Sequence, residues 1–207
     1  MKCKDFYKIL IKKQASEPSC IKKWKETFME FEKADPMIWK NIFTMAFKCT
    51  ASTKLQSFQY RIINRIISCN KWLNDITIKS SNLCSVPDCK DIDTISHFFI
   101  FCKSTKQFWK SLFNWWNYHN FIQIIDEEAL EECILFGFQQ KDNDVLMLNY
   151  VILHAKHYIY TKKLNEEFNI DFYNFLIKLK YNTKIEYSAW QYKKFVFFGK
   201  INKYFIV

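Results

Sequence analysis

Glycine is almost missing from this chain, with two in 207 residues, and proline is little commoner at three. Backbone phosphate cradles, which need several glycines at fixed spacing, are therefore excluded as nucleotide sites. A sheet-rich fold with many tight turns is equally hard to build, so helices joined by short loops are expected. Arginine occurs only as Arg61 and Arg65, against twenty-nine lysines. No run reaches the roughly 18 uninterrupted apolar residues of a membrane span. The longest candidate, Val145 to Ala155, is too short and carries Asn149 and His154, so no membrane partner is expected. Met1-Lys2-Cys3-Lys4-Asp5, soon followed by Lys12 and Lys13, lacks the apolar stretch of a secretory signal. An intracellular setting, nuclear or cytoplasmic, is expected. Nothing resembles a Ser or Cys nucleophile motif, and no Tyr/Phe-x-Asp-Asp pair is present to hold catalytic magnesium. The expectation is a protein that is not an enzyme.

What is present in quantity is apolar, aromatic and basic. Hydrophobic residues make up 49% and aromatics 19%, too much for disorder, and the formal charge is +10. The charge is uneven: residues 126–145 hold seven acidic residues and one lysine, within an otherwise basic chain. Such a balance fits a polyanion met by selected faces, or merely a lysine-rich sequence whose helices face solvent. Eight cysteines in a reducing compartment favour metal binding over disulfides.

Three of those cysteines form the most specific pattern in the chain. Cys84, Cys89, His97 and Cys102 follow C-x4-C-x7-H-x4-C, while Cys3, Cys20, Cys49, Cys69 and Cys133 are scattered. Three thiolates and one imidazole complete a tetrahedral shell without an open position, which points to structural zinc rather than catalysis. Chance clustering of buried thiols is the plain alternative. Pro87 and Asp88 can turn the chain between the first two ligands. His97 and Cys102 are five residues apart, about 140° around an ideal helix, so a helix should end or distort there.

Around this motif the periodicity is helical. Residues 1–35 read as a basic, partly flexible lead-in, and 36–207 as one helical domain with the metal segment at about 80–103. Pro36 is placed to open a helix through Trp39 and Ile42, and Thr50-Ala51-Ser52-Thr53 is a second start signal. Leu55, Phe58, Ile62, Ile66 and Cys69 form the apolar stripe of the next helix. Its other side carries Gln59, Asn64 and the two arginines, one turn apart and projecting together. Arg61 and Arg65 either grip phosphates or pair with carboxylates such as Asp75 or Asp91. Further helices are expected over Lys106–Trp116, with its tryptophans in the core, and over Val145–Lys163. The second of these carries a partly buried His154, a surface His157 and a basic edge of Lys156, Lys162 and Lys163. Phe168–Leu179 and Ser188–Phe198 would follow, and the acidic run Asp126–Glu132 reads as a solvated helix start.

Several of these segments together resemble a known family. The run from Phe58 through Arg61, Asn64 and Arg65 to Ile67, then Asn70-Lys71-Trp72-Leu73, leads into Cys84, Cys89, Ser96-His97-Phe98-Phe99, Cys102 and Phe108-Trp109. This order is similar to the zinc-binding region that follows the reverse transcriptase domain in non-LTR (LINE-type) retrotransposon proteins. Asn149-Tyr150 through Tyr160 looks like the helix downstream, so the resemblance spans about residues 36 to 200. It implies that Cys84, Cys89, His97 and Cys102 are knuckle ligands for zinc. It also implies that the region helps to hold element RNA or target DNA.

The fold expected is mainly α, an irregular helical bundle with a Cys3His zinc knuckle inserted between helices. The function expected is non-catalytic nucleic-acid binding, with Arg61, Arg65, Lys54, Lys103 and Lys106 meeting phosphates. RNA or DNA is the expected partner, and a separate reverse transcriptase polypeptide is another. From a different class, a protein-interaction module or a non-functional relic of a retroelement polyprotein is the alternative.

Overall fold

Pro36 begins a helix as its sequence suggests, because a first-turn residue needs no amide donor and proline's φ is already helical. A computed structural model describes residues 5, 16–32, 35–119, 130–140 and 142–190. Eight α-helices are seen among them. They are α1 (Ser19–Thr27), α2 (Pro36–Cys49), α3 (Thr53–Ile63), α4 (Asn70–Asp75), α5 (Lys103–Tyr118), α6 (Leu130–Phe136), α7 (Asn143–Leu164) and α8 (Phe172–Trp190). A π-helical turn, His97–Phe101, precedes α5. No strand occurs among the described residues, and one antiparallel bridge joins Leu83 to Ile92. The protein is mainly helical. No described helix is long and apolar enough to cross a membrane.

Packing divides the chain into two units, Met1–Trp39 and Lys40–Val207. In the first, Trp24 stacks on Phe28 at 5.8 Å, and Phe31 meets Trp39 at 5.2 Å. The second is built on α7, whose buried residues run all round its circumference from Val145 to Lys163. An apolar surface on every side is what a central helix requires. It packs against α3, α8 and the π turn. Asp142 opens it, its carboxylate accepting from the Asp144 amide at 2.7 Å.

Several expectations are corrected by the structure. α3 stops at Ile63, so Ile66 does not share its apolar stripe and is exposed. Arg65 adopts φ +59, and the bonds Arg65 N to Ile62 O and Ile66 N to Arg61 O close the helix as a Schellman cap. Glycine usually fills that position, so the sequence gives no sign of the stop. Arg61 and Arg65 therefore do not lie on one helical face. Gln59 is not on a polar side but buried, donating to Leu135 O at 2.8 Å.

Nor do Lys156 and Lys163 form a basic edge: both are buried. The Lys156 ammonium donates to Gln59 Oε1 at 2.7 Å and Leu135 O at 2.8 Å. Phe172–Leu179 of one predicted segment and Ser188–Trp190 of the next fall in the single helix α8, with no Gly or Pro between them, whereas Phe168–Asp171 precede it. Residues 191–198 and 126–129 of the predicted segments lie outside the described residues, whereas Glu131 and Glu132 sit in the first turn of α6.

Candidate metal centre

The first two ligand positions sit on a small irregular loop. Cys84 N donates to Asp91 O at 2.9 Å and Asp93 N to Asn82 O at 2.9 Å, so the chain doubles back beside the Leu83–Ile92 bridge. Between them, Asp88 takes φ +57 after Pro87, and Cys89 N reaches Val86 O at 3.0 Å. Aspartate tolerates this left-handed conformation better than most residues. Asn70, at the start of α4, fixes the loop with its carboxamide, donating to Leu83 O at 2.6 Å and Ser85 Oγ at 2.9 Å. Asp93 completes the anchor by accepting from the Asn70 amide at 2.9 Å.

The second pair is set by the π turn. Thr94 Oγ1 accepts from His97 N at 3.1 Å, and Cys102 N donates back to His97 O at 2.9 Å. That i to i+5 bond spans the two ligand residues, so the wide turn answers the awkward five-residue step. A π turn leaves carbonyls misaligned for ordinary helical pairing, and side chains collect them. Lys163 Nζ donates to Phe98 O at 2.7 Å, Trp109 Nε1 to Phe99 O at 2.6 Å, and Thr105 Oγ1 to Ile100 O at 2.9 Å. Cys102 then leaves helical geometry and precedes α5.

These elements bring Cys84, Cys89, His97 and Cys102 together. Their four ligand atoms all lie within 4.8 Å of one another. Cys84 Sγ is 3.8 Å from Cys102 Sγ, and Cys89 Sγ is 3.4 Å from His97 Nε2. The sulfur separation is far beyond a disulfide bond. It equals the edge, about 3.8 Å, of a tetrahedron with metal–sulfur bonds near 2.3 Å. Nδ1 of His97 faces Asp91 Oδ2 at 3.7 Å, leaving Nε2 for an ion and orienting the ring from behind.

Electrostatics suit the donor set unevenly. Burial, together with the nearby Cys102 sulfur, pushes the Cys84 thiol up to about 12. Burial acts the same way on Cys102, but the Ser104 hydroxyl and the Lys163 charge outweigh it and hold that thiol below its ordinary value. His97 is lowered by burial and then by Lys163, which keeps its imidazole neutral and able to ligate. Lys163 is thus the one buried cation behind the cluster that the structure describes. Its role, like those of Asn70, Asp93 and Trp109, had no local pattern in the sequence to announce it.

The basic residues singled out in the sequence fall in different surroundings. Lys54 and Arg61 both act on His157, and the Arg61 guanidinium lies 5.6 Å from the Tyr160 ring. Lys103 and Lys106 occupy the first turn of α5, Lys103 3.7 Å from Asp88 Oδ2 and Lys106 within influence of His97. Arg65 sits in the cap beyond α3. Asp75 is taken by Lys71 at 3.1 Å, and Asp91 faces His97.

Fold and site together define a class: a mainly helical protein with a Cys3His cluster that could hold one tetrahedral metal ion. Comparison with protein-family models, curated proteins and solved structures finds no match.

Proposed function

We propose that this chain is a non-catalytic nucleic-acid-binding module organised by structural zinc. It would be the zinc-knuckle portion of a non-LTR retrotransposon reverse transcriptase protein. The observation that carries the reading is the convergence of three sulfurs and one imidazole nitrogen within 4.8 Å. Tetrahedral sites with three sulfurs and one nitrogen are characteristic of zinc, and a full shell leaves no position for substrate. The ordered string of helix, knuckle and tryptophan helix supports the retroelement assignment, and a formal charge of +10 supports a polyanionic partner. Arg61, Arg65, Lys54, Lys103 and Lys106 are the proposed phosphate contacts.

Binding to duplex DNA and to RNA, measured across a salt series, tests this reading. On duplex DNA each neutralised phosphate contributes about −0.9 to the slope of log K against log salt. Replacing Arg61, Lys54 and Lys106 by alanine should flatten that slope by about one unit per lost contact. A native slope near zero, or binding too weak to follow at low salt, would contradict the reading.

One observation favours a second reading as a protein-interaction module. Tyr173, Ile177, Tyr181 and Ile185 recur every fourth residue on α8, each more than half exposed. An exposed apolar stripe at helical period is a common protein-docking face. Association that persists at high salt and is lost in Tyr181→Ser would favour this alternative.

A further inference from the structure

A cavity of about 410 Å³ opens where the start of α3, the middle of α7 and the end of α8 meet, away from the metal ligands. Its volume suits a small ligand larger than a bare ion. Lys54, His157 and Lys178 line it, with Thr161 and Asn182 as further polar groups and Leu55 and Ile185 as apolar wall. Lys54 and Lys178 are exposed and neither forms a close ion pair among the described residues, although the Lys178 ammonium also lies 5.7 Å from the Tyr158 ring and acts on Glu167. α3 starts at this cavity: Ser52, its N-cap, accepts from Leu55 N at 3.4 Å, and the Thr53 and Lys54 amides have no acceptor within the helix. Amides and helix dipole there favour an anion.

The one carboxylate in the wall is already committed. Glu186 Oε2 accepts from Thr50 Oγ1 at 2.6 Å and from Ala51 N at 3.0 Å, while Oε1 lies 3.4 Å from His154 Nε2. Burial alone would raise Glu186, but His154 and the Thr50 hydroxyl outweigh it and keep the carboxyl below its ordinary range. His154 is itself buried, and its Nε2, though near Glu186, lacks an aligned hydrogen-bond partner. His157 in the same wall is lowered to about 4, first by burial and then by Lys54, His154, Lys178 and Arg61. A desolvated, positively biased pocket is what an anionic ligand would complete.

We infer that this cavity is a phosphate subsite, in which Lys54, Lys178 and the first amides of α3 take a phosphate group. The group would come from the end of a nucleic-acid strand or from a small phosphorylated compound, and the first source rests on the nucleic-acid reading above. Leu55 and Ile185 would meet the sugar or base carrying the phosphate.

The test compares three probes on the full chain: a single strand with a 5′-phosphate, the same strand with a 5′-hydroxyl, and pyrophosphate. The 5′-phosphorylated strand should bind at least about tenfold tighter than its hydroxyl counterpart, the worth of a charge-assisted contact. Lys54→Ala combined with Lys178→Ala should erase that preference without unfolding the protein, since both side chains are exposed. Pyrophosphate binding that the double variant loses, without discrimination between strands, upholds the subsite and assigns it to a small phosphorylated compound. Strand binding that ignores both the terminal phosphate and the two lysines, with no pyrophosphate binding, overturns the subsite and leaves the nucleic-acid reading standing. Lysine-dependent pyrophosphate binding with no strand binding at all does the reverse.

Discussion

Two buried lysines carry much of the chemistry that a residue-by-residue reading of polarity would miss. Three thiolates around a divalent ion leave one net negative charge in a partly buried site, and the Lys163 ammonium lies behind it. Lys163→Met should therefore weaken zinc affinity about ten- to a hundredfold, the usual cost of losing an outer-shell partner. Competition against a chromophoric chelator reads this directly; unchanged affinity would reduce Lys163 to a helix prop.

Lys156 makes a different prediction. Complete burial lowers it from its ordinary value to about 7. Between about 7 and 10.5 the unfolded chain then binds the proton that the folded chain has released, so this group makes stability rise with pH across that window. Below about 7 both states carry the charge and its contribution is flat. Urea denaturation between pH 7 and 8.5 should show the rise in native protein. Lys156→Met should remove it, and identical pH profiles would contradict the assignment.

At the level of elements, the π turn between His97 and Cys102 is the piece on which the Cys/His cluster depends. Its stray carbonyls are met by Lys163, Trp109 and Thr105, so it is held from both α7 and α5. Trp109→Phe keeps most of the packing but strands the Phe99 carbonyl, and should cost about 1–3 kcal/mol. Denaturation of native protein and variant side by side measures this, and a loss below about 0.5 kcal/mol would mean that water replaces the indole. Gly137 is a second such element. Its φ is +87, and an added Cβ would meet Asn149 Oδ1 and Met45 Cε at 3.0 Å. The Asn149 carboxamide there clamps Phe138 N and O, so Gly137→Ala should destabilise by more than about 1 kcal/mol.

How far such elements could be read from sequence follows from where their causes lie. The Cys/His cluster was legible because Cys84, Cys89, His97 and Cys102 fall within nineteen residues. The distortion at His97–Cys102 followed from helical geometry alone. α2, α5 and α7 were legible from periodicity, and the start of α3 from the small polar run Thr50-Ala51-Ser52-Thr53. The end of α3 was not, because Arg65 occupies a left-handed cap with no glycine to mark it. Lys156 and Lys163 misled for a related reason: lysine reads as solvent-facing unless its acceptors, here Gln59, Leu135 and Phe98, are known to converge from distant segments.

On the scale of the whole molecule, the metal is expected to organise a region rather than to hold up the entire fold. Structural zinc supplies about 10–16 kcal/mol of apparent binding energy in small finger peptides. Here the helices around α7 bury a large core of their own. Chelation should thus lower the melting temperature modestly and make residues 80–103 the first site of protease cleavage. Full unfolding on chelation would show that the core depends on the ion.

The central claim is that four side chains share one zinc ion, and elemental analysis of chelator-free protein tests it most directly. The expected result is about one zinc per chain, lost on Cys89→Ser while the far-ultraviolet helical signal is retained. Protein that is folded yet metal-free, or that keeps its zinc in the variant, would contradict it.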